Sequence, residues 1–117
     1  MDNPINIDNS KTEEEQVLQI SEIAERSRIE AREACLNILS NDRTKNQVRL
    51  LLAKLYFQDE YYEFSLRELI LVKRDKNNDT IERLIKLICD NSGLKEKDYT
   101  SSSPDAESER ILAEIEI

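Results

Sequence analysis

Apolar positions in this chain recur at intervals of three and four, the spacing that gathers residues on one face of an α-helix. Val17, Ile20, Ala24, Ser27, Ala31, Ala34 and Ile38 form the first such stripe. Small residues fill its middle, so a neighbouring helix can approach closely there. Thr12 to Glu15 reads as a capping box: the Thr hydroxyl accepts an orphan backbone N–H and the Glu three residues on reaches back. The pattern leaves open whether residues 12–40 form one helix or two. ERSRIE, residues 25–30, is where a break is expected. SNDRTKN, residues 40–46, is a polar turn in which Thr44 and Gln47 repeat the capping-box spacing.

A further helix runs to about Phe57. QDEYY, residues 58–62, interrupts the pattern, and another helix follows to about Lys73. RDKNND, residues 74–79, is the second polar turn. Asp79 is the expected cap of a helix with Glu82 as its third residue and Leu84, Ile85, Leu87 and Ile88 on its apolar face. Gly93 ends it, since glycine takes the left-handed conformation that closes a helix. The result is an all-α chain of about four or five helices whose short turns favour antiparallel neighbours. Outside the helical span of residues 12–93, residues 1–11 are polar, carry Pro4 and read as a disordered lead. Residues 94–105 read as a linker, too polar to bury much surface. Residues 106–117, AESERILAEIEI, read as an amphipathic tail. Ile111, Leu112 and Ile115 would share a helical face, while Ile111, Ala113, Ile115 and Ile117 also alternate as in a strand.

Composition narrows the function classes. The chain has 117 residues, enough for one domain. Its net charge of -8 lacks the Lys and Arg excess needed to neutralise nucleic-acid phosphates. No window approaches the length of a membrane-spanning helix, and MDNPINIDNSKTEEE lacks the basic-then-apolar order of a signal peptide. A cytoplasmic protein is therefore expected, without nucleic acid as partner and without membrane insertion. Cys35 and Cys89 lie within apolar helical patterns and read as buried free thiols. Histidine is absent, which removes the commonest general base and metal ligand. There is no CxxC pair, HExxH, nucleophile elbow or phosphate-binding glycine loop. An enzyme is not expected, and no cofactor or metal is implied.

Residues 46–79 form a single unit made of two helices. Leu52 and Ala53 stand together, Tyr56 follows, then Tyr62, Ser65, Leu69 and Val72. This unit resembles a tetratricopeptide repeat, whose period is about 34 residues. In that family a large-then-small pair and an aromatic on the first helix interlock with a small residue on the second, a place that Ser65 fills here. Moving back by one period places Ala31, Cys35 and Ile38 where Ser65, Leu69 and Val72 stood. On the first helix of that earlier unit only Leu18 fits, and Glu22 takes the aromatic's place. Moving forward puts residues 80–90 at a capping helix. The resemblance covers residues 28–90, about one and a half repeats plus a cap. Arg49, Glu60 and Asn77 depart from the family's usual tryptophan, turn glycine and closing proline.

The resemblance implies a concave face of Gln47, Leu50, Leu51, Lys54 and Gln58 that binds a protein or peptide segment. The several cationic residues by which some members hold a C-terminal carboxylate are not matched, since only Lys54 is present. One and a half units fall short of the usual minimum of about three repeats. The missing burial must come from the first helix, the tail, a second copy or a partner. A tail docked through Ile111, Leu112 and Ile115 would supply it. Of Tyr61 and Tyr62, one is expected in the helix crossing and the other at the turn. The leading expectation is a protein-interaction module: an adaptor, assembly factor or escort chaperone. The alternative is a self-assembling helical protein, a homo-oligomer whose seam is the Val17–Ile38 stripe and whose groove is filled by its own tail or a second subunit.

Overall fold

The structure is a computed structural model that describes residues 11–100. Its elements are α1 (Glu13–Arg26), α2 (Arg28–Asn41), α3 (Asn46–Gln58), α4 (Tyr62–Asp75), α5 (Asp79–Ser92) and a single turn, α6 (Lys97–Thr100). The described residues contain helices and no strand. Each of α1 to α4 packs against the next, and α6 lies against α4. The arrangement is repeat-like, with helix starts at a near-constant interval: Glu13, Asn46 and Asp79 open α1, α3 and α5, while Arg28 and Tyr62 open α2 and α4.

Residues 12–40 resolve into two helices, split inside ERSRIE by the single residue Ser27. Ser27 serves both ends. Its N–H donates to the Ile23 carbonyl at 2.8 Å, closing α1, and its Oγ accepts from the Glu30 N–H at 3.2 Å, opening α2. The apolar stripe therefore folds on itself. Ile20 from α1 and Ala31, Ala34 and Ile38 from α2 are buried within one chain. The central positions of the stripe are thus covered by the chain's own helices.

At the N-terminus of α1 Thr12 is the cap, and Glu15 reaches back to its hydroxyl. Thr12 Oγ1 accepts from the Glu15 N–H at 3.2 Å and donates to its carboxylate at 3.0 Å. Two other caps differ from expectation. Thr44 turns inward on its own loop and donates to Asp42 Oδ1 through both its N–H and its hydroxyl. The start of α3 is capped from outside: Glu13 Oε2 accepts from the N–H groups of Gln47 at 2.8 Å and Val48 at 3.2 Å. A carboxylate suits this place, where orphan N–H groups and the helix dipole both favour negative charge. At α5 the cap is Asn78, one residue before Asp79, with Oδ1 accepting from Ile81 N–H at 2.9 Å. Gly93 closes α5 in the left-handed conformation, φ +79°.

The core has two halves, and α3 supplies both. Val48, Leu52 and Leu55 join α1 and α2 in the first half, while Ala53 faces α4 and α5 in the second. At the α3–α4 crossing the buried Ser65 hydroxyl donates to the Ala53 carbonyl at 2.7 Å. A small side chain admits the close approach, and the hydroxyl is not left without a partner. Arg49 links the same two helices: it pairs with Glu68 at 2.8 Å and donates to the Arg43 carbonyl at 3.1 Å. Residues 94–100, within the span expected as linker, lie against the second half-core. Leu94 and Tyr99 pack there, Lys73 pairs with Glu96, and the Arg67 guanidinium lies 5.8 Å from the Tyr99 ring. These side chains find apolar surface and counter-charges that composition alone does not reveal. Residues 101–117, including Ile111, Leu112 and Ile115, lie outside the described residues, as do residues 1–10.

Candidate functional site

The succession of helices leaves a gap on one side of α4. Whereas α1 lies along α3, α3 and α5 share α4 as a neighbour without packing closely on each other. The gap is a cleft of about 300 Å³. Its α3 wall is Leu50, Ala53, Lys54 and Phe57, spaced as one helical face. Its floor is Ser65 and Leu69 of α4, and its α5 wall is Leu84, Leu87 and Ile88. Apart from Ser65 and Lys54, every lining side chain is apolar. Leu87 is 46% exposed, unlike its buried neighbour Ile88. Phe57 is held in place by Tyr62, whose ring meets it edge-on at 5.4 Å.

Lys54 is exposed at the cleft's edge. Among the described residues no carboxylate pairs with it, while the neighbouring cations Arg49, Arg67 and Lys73 each have one. The cleft thus combines an apolar floor and walls with one uncommitted positive charge.

The five α3 residues expected on the binding face do not act as a set. Leu50 and Lys54 line the cleft. Leu51, one residue on, is turned about 100° around the helix and packs against the α1–α2 half of the core. Gln47 is exposed one turn before the cleft, with its N–H engaged by Glu13, and Gln58 is exposed at the end of α3. Phe57 and the α5 residues complete the site. Their signal is present in the sequence as the i, i+3, i+4, i+7 series from Leu50 to Phe57 and as the apolar face of α5. Only the fold shows that these two faces look at each other.

A second hollow, of about 500 Å³, opens where α2 and α4 flank α3. It is lined by Leu36 and Leu71 together with Arg43, Arg49, Glu68 and Asp75. Desolvation pushes the Glu68 carboxyl above its usual range, and the Arg49 partner only partly offsets this. Burial, with Glu68 adding, pushes the nearby Cys35 thiol up to about 12, so Cys35 is an inert core residue. Asp75 accepts from Asn46 Nδ2 at 2.6 Å. Of the charges lining this hollow, Arg49 and Glu68 engage each other.

Beyond it, exposed Tyr61 and Phe64 form an aromatic group with Tyr56. The Arg32 guanidinium lies 5.3 Å from the Tyr61 ring centre and also bonds Asp59. Arg28 meets the same carboxylate at 2.8 Å. Tyr61 thus stands at the turn, while Tyr62 packs into the helix crossing. Among the described residues no group of three or more His, Cys, Asp or Glu side chains is placed to hold a metal, and no helix is long and apolar enough to cross a membrane.

The chain matches no protein-family profile, no curated protein and no solved structure with which it was compared.

Proposed function

We propose that the chain is a non-catalytic, tetratricopeptide-like interaction module of the cytoplasm, acting as an adaptor, assembly factor or escort chaperone. Its cleft between α3 and α5 takes the apolar face of a helical segment from a protein partner. Leu50, Phe57, Leu84 and Leu87 receive the apolar anchors, and Lys54 pairs with an acidic residue flanking them. The observation that carries this reading is the coincidence of an open apolar cleft with an uncommitted cation at its edge. Helix-in-groove recognition uses anchors at helical spacing for affinity, and a complementary charge at the edge sets register and orientation. The cleft's volume stands at the lower end of the range for ligand pockets, roughly 300–1,000 Å³. That suits the side chains of a docked segment lying across its mouth.

The test is affinity capture from the source cell with the full chain as bait, beside Lys54→Glu. The substitution lies on an exposed position, so helicity stays unchanged. Capture of a specific partner should fall about tenfold, the loss of one rim charge pair replaced by repulsion. Equal capture by the two baits removes Lys54 from the site and this reading with it.

A further inference from the structure

The chain carries a segment whose chemistry matches the cleft. Residues 106–117, AESERILAEIEI, place Ile111, Leu112 and Ile115 among Glu107, Glu109, Glu114 and Glu116, with Arg110 the one cation. We infer that in the free protein this segment occupies the α3–α5 cleft, its isoleucines and leucine against Leu50 and Leu87 and a glutamate against Lys54. A partner would then bind by displacing it. The inference rests on the reading of the cleft as a groove for apolar helical segments.

Three observations support this occupant. The first is charge: an acidic, apolar segment suits an apolar cleft with one positive edge. The second is reach. The described chain ends at α6, which lies against α4, the helix that forms the cleft's floor. The eleven residues from Thr100 to Ile111 can span about 36 Å when extended, a length comparable to the molecule's extents of 41 × 37 × 25 Å. The third is tethering. A segment attached by a short linker faces its site at an effective concentration in the millimolar range, so a few apolar contacts suffice to keep it bound. The hollow flanked by α2 and α4 is a poorer host. Its Arg49 and Glu68 already pair with each other, and an apolar segment laid over them would strip their remaining water.

The experiment compares leucine-methyl NMR spectra of the full chain with those of a full-length triple variant, Ile111→Asp, Leu112→Asp, Ile115→Asp. The methyl signals of Leu50, Leu84 and Leu87 should shift in the variant while those of Leu55 and Leu66 in the core stay in place, at every protein concentration. Unmoved cleft methyls overturn the inference. Movement of Leu36 and Leu71 instead places the segment in the other hollow and overturns it too. Shifts that vanish on dilution of the wild type assign the cleft to a second copy's tail, which also contradicts the intramolecular assignment. In parallel, the triple variant should capture the partner several-fold more strongly than wild type. Equal capture by both, with the cleft still required, sinks this inference while the partner reading survives. Shifts at the cleft with no partner captured by either do the reverse.

Discussion

Glu60 concentrates the cost of the α3–α4 turn in one residue. Its φ of +63° is left-handed, where the Cβ of a non-glycine residue crowds the backbone. The surrounding hydrogen bonds explain why it is there. Tyr61 N–H donates to the Tyr56 carbonyl at 2.9 Å and Glu60 N–H to the Phe57 carbonyl at 3.0 Å. Together they form a Schellman closure that normally places glycine at the left-handed position. The rings of Tyr56 and Tyr61 meet edge-on at 6.3 Å, which is the apolar contact that accompanies such a closure. Glu60→Gly should therefore stabilise the protein by about 1 kcal/mol, the relieved strain exceeding the added chain entropy. Thermal unfolding would rise by roughly 4–8 °C for a domain of this size. A lower melting temperature would show that the glutamate side chain does more for the turn than its backbone costs. The departure from a turn glycine was legible at the sequence level, and the structure gives it a mechanism.

At the scale of elements, helices were legible wherever caps or glycine marked their ends. The Thr12 cap and Gly93 are local signals, set by residues within one turn. The cap of α3 was not, because it comes from Glu13, far back at the opening of α1. The face of α3 was partly legible for a related reason. Leu50 and Leu51 are alike as sequence, yet one serves the cleft and the other the first half-core. Which does which depends on where α1 and α5 lie. Long-range pairs also tie the turn ends together. Desolvation pushes the Asp59 carboxyl up, but hydrogen bonds from Arg28 and Arg32 outweigh it and hold the group below the usual Asp range. A lowered folded value means that this link contributes its stability above the ordinary Asp value of about 3.9. The contribution is lost as pH falls through the lower folded value. Below about pH 4, Asp59→Asn should therefore lose stability less steeply than wild type in urea titrations. Superimposable acid limbs would mean that Arg28 and Arg32 do not hold this carboxylate in solution.

On the scale of the whole molecule, a short repeat-like array must close its ends to bury enough apolar surface. One end is closed by α1, which lies along α3 and lends Glu13 to its N-terminus. The other is closed on the α4 side by Leu94 and Tyr99. Among the described residues the α3–α5 side stays open, with Leu87 about half exposed at the cleft. The order of α1 to α5 was legible in the sequence, whereas α6 falls where a linker was expected. The unequal closure was not, since it follows from how α5 and residues 94–100 sit on α4. That open side is the centre of the functional account. The most direct measurement places a photo-crosslinking side chain at position 87, and at Leu18 on α1 as control, in the full chain within its source cell. Leu18 is more exposed, at 66%, and does not line the cleft. A specific partner should be joined through an apolar, acid-flanked segment at position 87, and none from position 18. Equal labelling from both positions, or labelling from position 18 alone, would contradict it.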